Sequence, residues 1–265
     1  MITSSSNSKI KKVSSLLKKP SLRKKENVYV VEGLRMVTEA PRQDIVSVYV
    51  SSELLSQDNK KDNISLFLDD CKKKCVEINV IAPSLLKNIS ETVTPQGVVA
   101  IVKRRDDEDF RDKCTFLILE DIQDPGNLGT LIRTAEAAGI DMVIMSEGCV
   151  DLYNPKVIRS TMGTIYRIPY LVCKDRAGFT DIIKELKTNG VKIYGGCLTD
   201  SKRYTDADMT GKCGIVIGNE GNGITEDTLR LIEKVHIPMK GEIESLNASV
   251  AGSILMYEIN RQRTN

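Results

Sequence analysis

Three short segments of this 265-residue chain collect the residue types that handle a polar ligand. The first is Asp124-Pro125-Gly126-Asn127-Leu128-Gly129, which runs into a helical stretch carrying Arg133. Gly126 and Gly129 permit close backbone approach, and Asn127 is a good helix cap. The second, Gly218-Asn219-Glu220-Gly221-Asn222-Gly223, directly follows the apolar run 214–217. The third pairs Ile237-Pro238-Met239 with Glu244-Ser245-Leu246-Asn247-Ala248-Ser249. Amides and hydroxyls set among glycines suit a nucleotide-like ligand, and Glu220 and Arg133 could orient charge or a proton. Each segment alone reads more readily as a plain turn than as a site. Three in one domain, each with polar side chains, point to a site.

Several chemistries are excluded by what is missing. His236 is the single histidine, so no His-rich metal site exists and a Ser-His-Asp triad would depend on that one residue. Its place in an apolar strand reads as packing. The seven cysteines contain no C-x-x-C, which argues for reduced thiols and against zinc or a disulfide framework. The dinucleotide fingerprint belongs at the first βα turn. Here that turn reads Gly126-Asn127-Leu128-Gly129 and the richest glycine loop comes near residue 220, which argues against an ordinary dehydrogenase. The phosphate-binding pattern G-x-x-x-x-G-K-[ST] is also absent.

The elements that must position these segments alternate between helix and strand. An amphipathic helix over 8–19, with Ile10, Val13, Leu16 and Leu17 on one face, is stopped by Pro20. Strands at 28–31, 45–50, 76–81 and 97–102 alternate with helices at 33–40, 64–74 and 83–88, a small α/β domain. The charged stretch 103–113 cannot be core and marks a boundary. Beyond it, strands at 115–120, 141–146, 169–173, 191–195, 214–218 and 235–238 are separated by helices at 129–138, 155–162, 179–188 and 225–233. A last helix spans 245–261. Continuous apolar strands between helices predict a parallel sheet covered on both faces. The parts are then 1–25, a basic arm; 26–103, a small domain; 104–114, a linker; and 115–265, the larger domain.

Hydrophobic residues are 41% and charged residues 28% of the chain, ordinary for a globular protein. No apolar run approaches the ~20 residues a membrane helix needs. The basic N-terminus lacks the apolar stretch of a signal peptide, so no membrane partner is expected and the cytoplasm is the expected location. Net charge is +2, yet residues 1–25 hold +8 and the remainder −6. That asymmetry suggests a polyanion, most simply nucleic acid, although a solvated helix face would read the same way. Tyr153, Tyr166 and Tyr204 could stack on bases or belong to the core or its rim.

The order D-P-x-N-x-G-x-x-x-R-T-A-x-A-x-G, I-G-x-E-G-x-G and I-P-M-x-G-x-x-x-S-L-N-x-S-x-A resembles the SpoU-type (TrmH-like) RNA ribose methyltransferases of the SPOUT superfamily. The first domain, with V-Y-V-V-E-G from Val28 and T-P-Q-G-V-V-A from Thr94, is similar to the substrate-binding domain that precedes many of them. The resemblance implies an α/β fold: a small N-terminal RNA-binding domain and a C-terminal parallel-sheet domain with a deep trefoil knot. It implies S-adenosylmethionine as cofactor and no metal. Gly218, Asn219, Ile237 and Leu246, with Gly196 and Leu198 nearby, would hold it. The motif residues fall on Asn127, Arg133, Glu220, Ser245 and Asn247. It further implies a homodimer formed through the C-terminal domain. RNA would be the substrate, ribosomal because of the attached first domain.

A guanidinium is a poor base, with a pKa above about 12. Arg133 is therefore expected to orient ribose and phosphate and to stabilise the developing alkoxide, with phosphate or Glu220 taking the proton. An ion pair with Glu136 is its alternative role. The rival functions are an idle RNA-binding or ribosome-assembly protein, a transfer RNA ribose methyltransferase, and an enzyme of another nucleotide.

Overall fold

The computed structural model describes residues 1–56, 58–105, 108–197, 199–243 and 245–264, with backbone alone for 58–63. Its first elements are α1 (Ser8–Lys18), α2 (Pro20–Glu26), β1 (Val28–Glu32), α3 (Leu34–Glu39), β2 (Ile45–Ser51), α4 (Ser52–Ser56), α5 (Asp58–Lys73), β3 (Glu77–Ile81), α6 (Leu86–Ile89) and β4 (Val98–Lys103). There follow β5 (Thr115–Leu119), α7 (Pro125–Ala137), β6 (Met142–Met145), α8 (Pro155–Thr161), β7 (Tyr170–Val172), α9 (Arg176–Thr188) and β8 (Lys192–Gly196). The last are β9 (Lys202–Arg203), β10 (Cys213–Ile217), α10 (Glu226–Leu229), β11 (Glu233–His236) and α11 (Ala248–Thr264). Two compact units result: Met1–Asp106 with Tyr153–Tyr166, and Asp107–Leu152 with Arg167–Asn265.

The first unit is a four-stranded sheet in the order β1-β4-β2-β3, antiparallel except for the parallel pair β2/β3. Residues 1–25 are built into it rather than appended as an arm. The Asn7 side chain caps α1 by accepting from the Lys9 N–H at 2.9 Å. Ile10, Val13, Leu16 and Leu17 then bury against Val30, Tyr49 and Ile101, each contributing about 1.5–3 kcal/mol of apolar burial. Pro20 ends α1, as the sequence suggests, but it also begins α2, where a first-turn proline loses no helical bond. Arg23, 2% exposed, donates to the Leu16 and Leu17 carbonyls at 2.7 and 3.1 Å, satisfying the open C-terminus of α1.

Residues 153–166, which sequence alone assigns to the larger domain, cluster with the first unit for local reasons. The Tyr153 ring lies 4.5 Å from that of Tyr29, and Arg159 bonds Glu32 at 2.9 Å. Tyr153 is core, at 1% exposure.

The second unit is a seven-stranded sheet in the order β7-β6-β5-β10-β8-β11-β9, with every strand pair parallel. β5 and β10 at its centre are fully buried. Helix α11 lies so close to α7 that a Cβ on Gly252 would stand 2.4 Å from Leu131 Cδ2. Three element boundaries differ from expectation and matter below. Asp124, not Asn127, caps α7, accepting from the Asn127 N–H at 2.8 Å, so Asn127 lies in the first turn. The expected helix over 225–233 is helical only in α10, because β11 pairs with β8 from Glu233 onward. α11 starts at Ala248, leaving Ser245, Leu246 and Asn247 in the segment before it.

Candidate active site

Parallel strands send their carboxyl ends to one edge of the second sheet, and the loops there carry the polar segments. Glu220 is the centre of one cluster. Its carboxylate accepts from the backbone N–H of Gln123 at 3.2 Å and of Asp124 at 3.1 Å, and from Asn127 Nδ2 at 3.0 Å. Asn127 Oδ1 accepts from Asn247 Nδ2 at 3.0 Å. Asn247 Oδ1 in turn accepts from the Ser249 N–H at 2.9 Å and hydroxyl at 2.7 Å. An ionised carboxylate can only accept, so Glu220 sets the direction of the whole chain of amides. Desolvation pushes the Glu220 carboxyl up, but the Asn127 amide and the backbone N–H groups outweigh it and hold the group below the usual carboxylate range.

The loop after β10 is itself tightly tied. Asn219 exchanges backbone hydrogen bonds with Gly223, donates from Nδ2 to the Asp121 carbonyl at 2.8 Å, and accepts from the N–H groups of Gly221 and Asn222. A Cβ on Gly218 would lie 2.3 Å from the Gly223 carbonyl carbon, so that glycine is required by the loop's own backbone rather than by a ligand. Behind the loop, fully buried Glu120 accepts from the Thr225 N–H at 3.0 Å, the Thr225 hydroxyl at 2.7 Å and Arg176 Nη1 at 2.6 Å.

Beside this cluster is a cavity of about 410 Å³, within the range of small-ligand sites. Gly196, Gly218, Asn219, Ile237 and Leu246 line it, together with Glu220 and Ser245. The cavity therefore collects residues from four separated stretches of sequence. Leu198 lies outside the described residues. Asn127 and Asn247 reach the cavity only through Glu220 and the segment before α11. Arg133 is exposed on α7, and among the described residues it has no hydrogen bond or ion pair. Glu136 is taken by Arg167, which removes the alternative ion pair. Arg133 stands six positions after Asn127, which puts them about 120° apart around an α-helix.

Sequence reasoning missed Cys197 and the role of His236, both on the cavity wall, where Met239 of the third segment also stands. His236 Nδ1 is 3.0 Å from Ser201 Oγ, so it is a hydrogen-bonded sheet residue that also faces the site. The order of parallel strands brings these positions together, and no local pattern carries that order. Among the described residues no group of three or more His, Cys, Asp or Glu side chains could hold a metal ion.

Comparison with known proteins agrees with the geometry. Residues 115–257 match the model of the SpoU rRNA Methylase family, and residues 7–100 match the MRM3-like substrate binding domain. The chain is 32% identical over 259 residues to "23S rRNA (guanosine(2553)-2'-O)-methyltransferase RlmP" of Bacillus subtilis, covering 97% of this chain and 98% of that one. It is 28% identical to "rRNA methyltransferase 3, mitochondrial" of Xenopus tropicalis, covering 97% of this chain and 75% of the relative. Among solved structures, AdoMet-bound rRNA methyltransferase from Sinorhizobium meliloti superposes with a TM-score of 0.86 at 25% identity, over 98% of this chain and 97% of that one.

Proposed function

The chain belongs to the SpoU rRNA Methylase family, and from that premise we propose that it transfers a methyl group from S-adenosylmethionine to a ribose 2′-hydroxyl of ribosomal RNA. The observation that carries this reading is the cavity at the carboxyl edge of the sheet, walled by the glycine loop and the segment before α11. The cofactor fits what is there. A Cβ built on Gly196 meets nothing within 4 Å, so the wall is open at the point where the cofactor would lie against backbone. Gly218, Asn219, Ile237 and Leu246 complete that wall, and Leu198 is proposed with them.

When bound, the cofactor supplies an activated methyl on a sulfonium, already a good leaving group. The protein's work is then alignment of the ribose and removal of one proton. Ser245 lines the cavity and has no hydrogen-bond partner among the described residues, so its hydroxyl is free to meet a ligand. Asn127 and Asn247 are fixed in orientation by Glu220 and Ser249 and hold the segment around Ser245. Glu220, with its oxygens occupied by three donors and its carboxyl held low, acts as the anchor of this chain rather than as the base. Arg133, its guanidinium free, orients ribose and phosphate and stabilises the alkoxide as the proton leaves to phosphate.

The reading assigns RNA binding to the first unit and methyl transfer to the second. It includes a deep trefoil knot, supported by β11 lying beyond β8 while α11 returns to pack on β10 and α7. A homodimer through the second unit is supported by Val250 and Tyr257, which stand 47% and 51% exposed two helical turns apart on α11. The reading takes the cytoplasm as the location. No helix among the described residues is long and apolar enough to cross a membrane.

Calorimetry with S-adenosylmethionine tests the reading. It should show one site per chain, and label from a methyl-labelled cofactor should appear in ribosomal RNA. Absence of binding, or binding of NAD instead, would overturn it.

A further inference from the structure

The first unit contains a cavity of its own, about 340 Å³, far in sequence from the glycine loop. Its floor is apolar: Met36, Val98 and Val99 are 7%, 1% and 1% exposed, and Met162 closes one side. Its polar wall holds two arginines, but neither offers a free charge. Arg159 Nη1 bonds Glu32 Oε1 at 2.9 Å, and Arg35 Nε bonds Glu39 at 2.7 Å. Glu32 is further fixed by the Ser90 hydroxyl at 2.6 Å and the Glu91 N–H at 3.0 Å. Positive and negative charge thus cancel around the opening, which disfavours a phosphate as occupant.

The remaining wall is neutral and directional. Gln96 Oε1 accepts from the Leu34 N–H at 2.8 Å, which fixes the amide so that its NH2 group is left as a donor. That NH2 and the Thr94 hydroxyl, both on solvent-exposed residues, have no protein partner among the described residues, and both residues line the mouth of the cavity. Gly33 holds this arrangement open with φ of +92°, since a Cβ there would stand 3.0 Å from Gln96 Oε1.

A neutral, planar, partly apolar group with a hydrogen-bonding edge fits such a cavity. We propose that it receives one unpaired nucleobase of the RNA, splayed out of its strand, with Gln96 and Thr94 reading the base edge. Sequence-specific RNA recognition commonly works on unstacked bases of this kind. The inference rests on RNA being the substrate. It adds a second, non-catalytic contact that selects where the RNA is gripped.

The test uses the full chain. The four nucleoside 5′-monophosphates and inorganic phosphate are titrated separately while the methyl resonances of Val98, Val99 and Met162 are followed by NMR. At least one nucleotide should move these signals while phosphate does not. Gln96→Glu keeps the acceptor for Leu34 and removes the donor, and Thr94→Val removes the hydroxyl at equal size. Each should abolish the shifts and raise KM for the RNA about tenfold, the scale of one lost polar contact, with kcat and cofactor affinity within twofold. Equal shifts from phosphate, no shifts from any nucleotide, or unchanged KM in both folded variants would overturn the proposal. Wild-type protein that binds the cofactor but methylates no RNA, while nucleotides still move the cavity signals, would instead count against the proposed function alone.

Discussion

Among the described residues Arg133 is a charged side chain with nothing to hold, whereas most other arginines are paired. Such a group is available for a charge that develops only during reaction. Arg133→Lys keeps the charge and loses the planar fork, so kcat should fall by about 100-fold while cofactor affinity is unchanged. Unchanged turnover would mean that the fork is not used. Glu220 makes the opposite case. A carboxyl depressed by folding stabilises the fold above the unfolded pKa of about 4.3, and that contribution is lost as pH falls through the folded value. Glu220 is therefore ionised throughout the neutral range, and the rate profile from pH 6 to 9 should contain no limb from it. Glu220→Gln should lower kcat about tenfold, the effect of losing a charge-assisted anchor, without altering the shape of that profile. A limb that vanishes in Glu220→Gln would make the residue the base after all. Asn127, Glu220, Ser245 and Asn247 stood out as candidates in the sequence because they are polar side chains in segments with little packing to do. Their mutual bonds did not, since Glu220 meets Asn127 across 93 residues.

The helices and strands followed from periodicity wherever tertiary packing agreed with local pattern. They departed from it where a neighbour decided. Residues 230–233 look helical, but Glu233 is claimed as a strand by β8, and α11 starts only at Ala248 because the Asn247 side chain caps it, accepting from the Ser249 and Val250 N–H groups. The two glycines of the cavity wall separate loop integrity from ligand space. Gly218→Val drives a side chain into the backbone of Gly223 and should cost about 1–3 kcal/mol or more, visible as a lowered Tm. At Gly196 a Cβ meets no protein atom within 4 Å, so for Gly196→Val Tm should change little while calorimetric cofactor binding is lost. Normal binding in Gly196→Val would move the cofactor elsewhere. Equal destabilisation by both would show that Gly196 is structural.

At the scale of the whole molecule, the charge asymmetry read from the sequence survives, but its carrier changes. Lys9 pairs with Glu77, Lys12 pairs with Glu26, and Arg23 is buried, so five of the eight N-terminal cations have no ion pair among the described residues: Lys11, Lys18, Lys19, Lys24 and Lys25. Deleting residues 1–25 would strip four core side chains and unfold the first unit, whereas alanine at Lys18, Lys19, Lys24 and Lys25 spares the core. The quadruple variant should bind RNA more weakly, with a log-log salt slope reduced by about 0.7 for each lost contact to single-stranded RNA. An unchanged slope would make the lysines a solvated face only. The return of residues 153–166 to the first unit was invisible in the sequence, because charge runs mark boundaries only where the chain crosses once. The whole molecule serves one reaction at one kind of atom. Mapping ribose 2′-O-methylation across ribosomal RNA from cells with and without this protein, then restoring it with purified wild type and with Arg133→Lys, tests that most directly. A 2′-O-methyl mark should disappear with the protein, return with the wild type and fail to return with the variant. Ribose methylation unchanged by loss of the protein, or a methyl found on a base instead, would contradict it.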